Sequence, residues 1–211
     1  MVEKRQGKYY LTTPVSAEDI KDIRIGDIAF LSGTLVTGRD DVHRRVVREG
    51  MTSPYDYRDG AIFHAGPIIK EKPGDNKLIS VGPTSSICME ADEADFIKMT
   101  GVRVLVGKGG MGLKTSAACK EYKTIHCVFV GGCAVSAASH VEKIEGDAFW
   151  RELGMPECEW VFKVKEFGPL IVSIDTEGNN MFMENKAYYA SNREACEAPI
   201  IDSVKNYLVI D

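Results

Sequence analysis

The sequence predicts a mixed α/β fold, a mixed sheet layered with helices. Three observations carry that prediction. Strand-like segments dominate the first third of the chain. Beyond it, helix-like and strand-like segments alternate, and the runs Val102 to Val106 and Ile125 to Val130 are continuously apolar, as strands covered on both faces are. The 211 residues, 44% hydrophobic and 27% charged, suffice for one core of ordinary size. No repeat, low-complexity tract or linker divides them. Residues 1–211 therefore read as a single domain, with 185–211 as a C-terminal helical extension.

Taken in order, Tyr9 to Thr12 is a short strand. Ser16 caps a brief helical turn with Glu18 and Asp19 in its acid-favouring first turn. Gly26-Asp27 is a turn, and Ile28 to Thr37 a strand with Gly33 at a bulge or close approach. Val42, Val46 and Val47 share a helical face that Gly50 ends, so Arg39 and Asp40 stand at a strand-to-helix junction where Asp40 can cap. Met51 to Gly60 is a loop, and Ala61 to Ile69 a strand broken at Gly66-Pro67. A hairpin-like turn with Gly74-Asp75 at its tip leads back along Lys77 to Val81. Helices follow at Ala91 to Thr100, Leu113 to Lys123 and the alanine-rich Cys133 to Ile144. Trp160 to Val164 and Leu170 to Ile174 are strands separated by Phe167-Gly168-Pro169. From Asn185 the chain is polar and helical, and it closes on an apolar patch, Tyr207 to Ile210.

Charge and cysteine usage narrow the function. A net charge of -5 without a basic run argues against a nucleic-acid partner. Arg39, Arg44, Arg45 and Arg48 are interrupted by Asp40, Asp41 and Glu49, a pattern better suited to a small anion. The first residues lack the apolar core of a secretory leader and no run approaches a membrane span, so a cytoplasmic protein is expected. The six cysteines are scattered without a C-x-x-C pair and read as reduced thiols. No metal or cluster site built from this chain alone is expected.

Three strand ends carry the polar chemistry. Arg39, with the amides of the following helix start, makes an anion site, although it is equally placed to pair with Asp40 or Asp41. His43 sits on the first turn of that helix, where a histidine is structural as readily as catalytic. Gly82-Pro83-Thr84-Ser85-Ser86 ends a strand with three hydroxyls, of which Ser85 and Ser86 also suit a helix cap. Gly107-Lys108-Gly109-Gly110-Met111-Gly112 lacks the order of a phosphate loop, but holds one lysine where it can meet a carboxylate.

The segments GTLVTGRDDVHRR, IFHAGPI, VGPTSS followed by ME, VGKGGMG, GCAVSAA and LGMPECEWVFKVKEFGPLIVSIDTEGNN occur in that order. Together they resemble the family of L(+)-tartrate dehydratase β subunits and the C-terminal domains of class I, iron–sulfur-dependent fumarases. The resemblance spans roughly residues 10–185. It implies a swivelling β/β/α domain and a chain that is half of a hydro-lyase. An α subunit would hold a [4Fe-4S] cluster, in an α2β2 assembly acting on a small dicarboxylate. Tartrate to oxaloacetate is the first reading and malate–fumarate the second. A non-catalytic, partner-positioning domain is a third. By motif position the resemblance assigns substrate contacts to Arg39, Asp40, Ser85 and Lys108. Thr84 becomes the candidate base, with His43 beside it as the other catalytic candidate. One departure stands out: Cys88 occupies the position, four past that threonine, where the family usually has a carboxylate-binding arginine.

Overall fold

The computed structural model describes residues 1–72, 74 and 76–205. The expected turn at Gly74-Asp75 therefore includes a residue outside the described set, and the apolar patch 207–210 lies wholly outside it. The architecture is the predicted mixture of sheet and helices. One sheet of eight strands runs in the order β1 (Val2–Arg5), β2 (Lys8–Thr12), β3 (Ile28–Thr37), β4 (Ala61–Phe63), β7 (Val104–Gly107), β8 (Ile125–Val128), β10 (Val161–Ile174) and β9 (Val141–Ile144). The hairpin of β5 (Ala65–Lys70) and β6 (Lys77–Pro83) stands apart from it.

From β2 to β8 the neighbours are parallel. Strand β10 is antiparallel to β8 and also to β3. Strands β3, β4, β7, β8 and β10 therefore close on themselves, and none of the five has a free edge along its whole length. Their side chains alternate between two cores. Phe63, Val104 and Val106 pack with Leu35, Phe162 and Phe167. Ile62 and Leu105 pack instead with Phe96, Ile97 and Cys119 under the helices. This two-sided burial is why the strands read as continuous apolar runs.

The helices follow local chemistry. In α1 (Ala17–Ile20) the Ser16 side chain accepts from the Asp19 amide while Asp19 reaches back to the Ser16 amide, a complete capping box. Helix α2 (Asp40–Val47) buries Val42, His43 and Val46; its N-cap is Arg39, without a side-chain cap bond, rather than Asp40. Helix α3 (Glu93–Thr100) ends at Gly101 in the left-handed conformation, φ 70°. Helix α4 (Leu113–Tyr122) follows the glycine turn.

Three expected elements change. The alanine-rich helix is short, α5 (Ala134–Ser139), and its expected second half is strand β9. Val141 and Ile144 pair with Val164 and Phe162 of β10, so ladder bonds and β-branched packing outweigh the helical pull of the alanines. Phe167-Gly168-Pro169 does not separate two strands. Strand β10 runs through it with two register shifts that turn Phe167 inward, 5.2 Å from the Phe63 ring and 5.0 Å from Phe129. The break expected at Gly66-Pro67 falls at His64 instead, between β4 and β5.

Helix α6 (Met181–Val204) starts four residues before the expected Asn185 and buries none of its side chains. Its first turn seats it: the Asn180 side chain accepts from the amides of Phe182 and Met183 and donates to Met111 O at 3.0 Å and Ser116 Oγ at 2.9 Å. Phe182 lies over Gly110, where an added Cβ would stand 2.5 Å from its ring. The later turns add nothing to either core. A chain ended at Ala190 is therefore expected to keep its folding free energy within about 0.5 kcal/mol of the full chain, read from urea unfolding midpoints. A loss of several times that would show that the distal turns pack on the domain.

Candidate active site

The parallel strands deliver the polar segments to one edge, their carboxyl ends. Gly38 N bonds Phe63 O at 3.0 Å, and His64 N bonds Val106 O at 2.7 Å, so β3, β4 and β7 end level with one another. At His64 the chain leaves the large sheet to form the β5–β6 hairpin, and it returns at Thr84. Thr84 N donates to His64 O (2.7 Å), Lys108 N donates to Thr84 O (3.1 Å), and Ser86 N donates to Lys108 O (2.9 Å). The Thr84–Ser86 loop thus fills the place β4 vacates and runs parallel to the lysine turn, with Ser85 bridged to Lys108. Topology, not sequence proximity, joins Thr84 to Lys108.

Lys108 is partly buried, with its stem over Gly131, where a Cβ would stand 2.9 Å from Lys108 Cδ. It lines a groove of about 720 Å³ with Ser85, Gly109, Gly110 and Phe182. No carboxylate lies within ion-pair distance of its ammonium among the described residues. Thr84 and Ser85 are both partly exposed at this edge.

Arg39 stands past the end of β3 and is 29% exposed. Its partner is neither Asp40 nor Asp41 but Glu157, with Nε 3.0 Å from Oε1. This is an ion pair by proximity rather than a directed hydrogen bond, since the Arg39 Nε–H finds no aligned acceptor. Burial, partly offset by Arg39, raises the Glu157 carboxyl above its ordinary range. Asp40 is exposed on the first turn of α2, and Asp41 pairs with Arg44.

His43 is fully buried. Its Nδ1 lies 2.8 Å from Arg39 O, and its Nε2 is 3.3 Å from Oε2 of the equally buried Glu93. His64 Nε2 reaches the same oxygen at 3.2 Å, and its Nδ1 is 3.1 Å from Ser86 Oγ. Ser86 Oγ is also 3.1 Å from His126 Nε2, and His126 Nδ1 is 2.6 Å from Ser173 Oγ. Burial works against the charge on both Glu93 and His43. Their mutual attraction prevails, so Glu93, facing His64 and His43, sits below the usual carboxylate range and His43 above the usual histidine range. His126 has no such counterion, and burial, with His64 beside it, pushes it down to about 3.

The glycine turn is not an open anion cradle. Glu90 Oε2 accepts from Gly112 N at 2.6 Å and Thr115 Oγ1 at 2.7 Å, and Oε1 from Lys114 N at 3.2 Å. The start of α4 thus holds an internal carboxylate. Neither Ser85 nor Ser86 makes a side-chain cap: Ser86 is committed to the two histidines. Cys88 is exposed on the 3-10 turn Ser86–Met89. Sequence reasoning missed Glu90, Glu93, His64, His126 and Glu157. For the histidines a signal existed, because IFHAG and IHCVF place a polar ring within apolar strands, where it must find a partner.

A strand-end arginine, a hydroxyl loop and a glycine-bedded lysine on one mixed α/β edge define a class of protein. The chain belongs to the fumarase C-terminus family, whose match spans residues 2–185. Within it, the chain is 52% identical over 197 residues to L(+)-tartrate dehydratase subunit beta of Escherichia coli K12, covering 93% of this chain and 96% of that one. A putative L(+)-tartrate dehydratase subunit beta of Methanocaldococcus jannaschii is 36% identical over 189 residues, 88% and 97% of the two chains. A putative class I fumarate hydratase of Geobacillus stearothermophilus is 35% identical over 172 residues, 81% of this chain but 33% of that longer one. No helix among the described residues is long and apolar enough to cross a membrane.

The neutral His126 has a consequence for stability. Below the ordinary value of 6.5 the unfolded chain protonates this ring, while the folded chain does not until about 3. The unfolded state then binds the extra proton, so this ring's contribution to stability falls as pH drops through that window, by about 1.4 kcal/mol per unit at most. His126→Asn is expected to flatten the acid limb of a plot of unfolding free energy against pH. An unchanged slope would mean that the ring is protonated in the folded state.

Proposed function

We propose that this chain is the β subunit of an iron–sulfur-dependent hydro-lyase. It dehydrates a 2-hydroxy dicarboxylate, first L(+)-tartrate to oxaloacetate, in the cytoplasm as part of an α2β2 assembly. The observation that carries the reading is the backbone pairing of Thr84 with Lys108 at the strand ends, the lysine being free of any carboxylate of its own among the described residues. The names of the relatives supply the reaction class. Ile87, Leu113, Val130 and Val135 each lie just past one of the site's strand ends, and all are exposed. An apolar rim of that kind suits a surface covered by a partner subunit.

The cysteines of this chain do not form a cluster-binding set. Among the described residues the one convergence of three potential ligands is His43, His64 and Glu93, with no thiol in it. In this reading the [4Fe-4S] cluster belongs to the α subunit, and the steps derived below use this chain's residues alone. Lys108 and Arg39 each meet a substrate carboxylate, with Ser85 and Asp40 completing the polar lining. Arg39 has guanidinium nitrogens beyond the one beside Glu157, so it can bind without surrendering that pair. Thr84 Oγ1 takes the proton from C3 of tartrate. The C3–H electron pair becomes the C2–C3 double bond as the C2–O bond breaks; the departing hydroxide takes a proton from solvent to become water, Thr84 returns its acquired proton to solvent, and the enol product relaxes to oxaloacetate. A free threonine hydroxyl is a poor base, and the ammonium of Lys108 favours its alkoxide. His43, the other catalytic candidate, is wholly buried behind Arg39, so in this reading it holds the Arg39 carbonyl and does not touch substrate.

Cys88 leaves the family's arginine position without a cation. The second carboxylate then depends on Arg39 or on the partner, which keeps malate–fumarate as the runner-up, the reaction in the name of the Geobacillus relative. The partner-positioning domain without turnover remains the reading from another class. Assay of the reconstituted αβ complex against tartrate and malate separates the three. In that complex, Thr84→Ala and Thr84→Val are expected to abolish turnover with substrate still bound, and Thr84→Ser to retain part of kcat. A valine variant with near-normal kcat would remove Thr84 as the base. Lys108→Ala, which breaks no internal ion pair, should cost on the order of 1.5–3 kcal/mol in kcat/KM with folding unchanged. Early melting with normal kinetics per folded molecule would make Lys108 structural.

A further inference from the structure

The buried cluster behind the site brings two histidine rings to one carboxylate oxygen and ties a third ring to them through Ser86. A carbonyl oxygen only accepts, so His43 Nδ1, 2.8 Å from Arg39 O, carries a proton. A neutral His43 would then turn the Nε2 lone pair toward Glu93 Oε2 at 3.3 Å, lone pair against lone pair. Glu93 is held below the usual carboxylate range and His43 above the usual histidine range, which favours an imidazolium facing a carboxylate. Ser86 has a single hydroxyl proton for two rings, His64 and His126. Among the described residues His43 Nε2, His64 Nε2 and both Glu93 oxygens are buried without an aligned hydrogen-bond partner, so the three side chains meet by close approach alone. The other titratable groups that act on this cluster are Asp92 and Glu159 toward His43, and Cys119 and His126 toward Glu93.

The cluster touches both halves of the substrate-facing edge. On one side His43 holds the carbonyl of Arg39. On the other, His64 holds Thr84 through its backbone oxygen and Ser86 through its ring, and Ser86 N bonds Lys108 O. There is no slack between them: a Cβ at Gly107 would stand 1.9 Å from Ser86 Oγ and 3.1 Å from His64 Nδ1. We propose that Glu93 is a positioning residue for the reaction: by holding the His43 and His64 rings at one oxygen, it fixes Arg39 relative to Thr84 and Lys108. The inference rests on the preceding reading for why those three residues matter. Its own content is the hold of Glu93 on the two rings and the dependence of turnover on that hold.

The test begins with the wild-type full chain. It has four histidines, so histidine-specific 15N NMR across pH reads few rings, and His43→Asn assigns the key one. His43 is expected to stay protonated on both nitrogens to a pH above 6.5, the ordinary histidine value, and His126 to stay neutral down to about pH 3. In the reconstituted αβ complex, kcat/KM should fall on the alkaline side with the midpoint at which His43 loses its proton. Glu93→Gln keeps the volume and removes the charge. It should leave His43 neutral near pH 7 and lower kcat/KM by at least about tenfold, with α-subunit association intact. A neutral His43 in the wild type overturns the proposal, as does one equivalent of tightly held divalent metal by elemental analysis, and as does a folded Glu93→Gln enzyme with full activity. If Glu93→Gln does not fold, mismatch between the NMR and kinetic midpoints of the wild type overturns it equally. Absence of tartrate and malate turnover in the wild-type complex would sink the functional reading alone, whereas a neutral His43 ring would sink the cluster alone.

Discussion

One strand has to serve two sheets, and the switch happens at His64. Its amide still bonds β7, its carbonyl already bonds the returning Thr84, and its ring points into the cluster with Glu93 and Ser86. A backbone that forks in this way needs every polar group at the branch satisfied from a different direction, because the branch is buried. The histidine meets most of that need through its amide, its carbonyl and its Nδ1, while its Nε2 lies 3.2 Å from Glu93 Oε2 without an aligned hydrogen bond. Shifting it would cost the register of the hydroxyl loop beside Lys108 and the filling behind Gly107 together.

The closed ring of five strands makes this branch rigid. Strand β10 reaches both β3 and β8, so the carboxyl ends of β3, β4, β7 and β8 cannot splay. Burial on both faces, with Phe63 in one core and Ile62 in the other, locks β4 right up to the branch. Residues past the strand ends are then free to be polar without loosening the domain, and Arg39, Thr84 and Lys108 occupy those positions.

Much of this was legible in the sequence, for physical reasons. Buried parallel strands announce themselves as apolar runs, and glycines after them mark where backbone must turn tightly. The three strand-end segments, and the family they belong to, were accordingly readable. What escaped is what depends on distant partners. His64, Ser86, Glu93 and His126 lie between 7 and 62 residues apart, and although the two histidines stand out within their apolar strands, nothing local says that the four meet. Glu93 follows Glu90 and Asp92 and looks like any acidic helix start, yet its side chain turns wholly inward. Likewise the alanines of α5 were a fair helical signal until β10 offered Val141 and Ile144 a ladder. Propensity decides only where tertiary pairing does not.

Glu90 carries a further consequence. The amides at the start of α4 are the part of such a turn that would grip a phosphoryl group, and they are already saturated by that internal carboxylate. A nucleotide or sugar phosphate arriving at the glycine turn would confront a fixed negative charge rather than a vacancy. The neighbouring lysine, on a flexible stem, remains free to meet a planar carboxyl group from the groove side. The protein in effect carries its own blocking anion at a helix start where a phosphoryl group would otherwise seat.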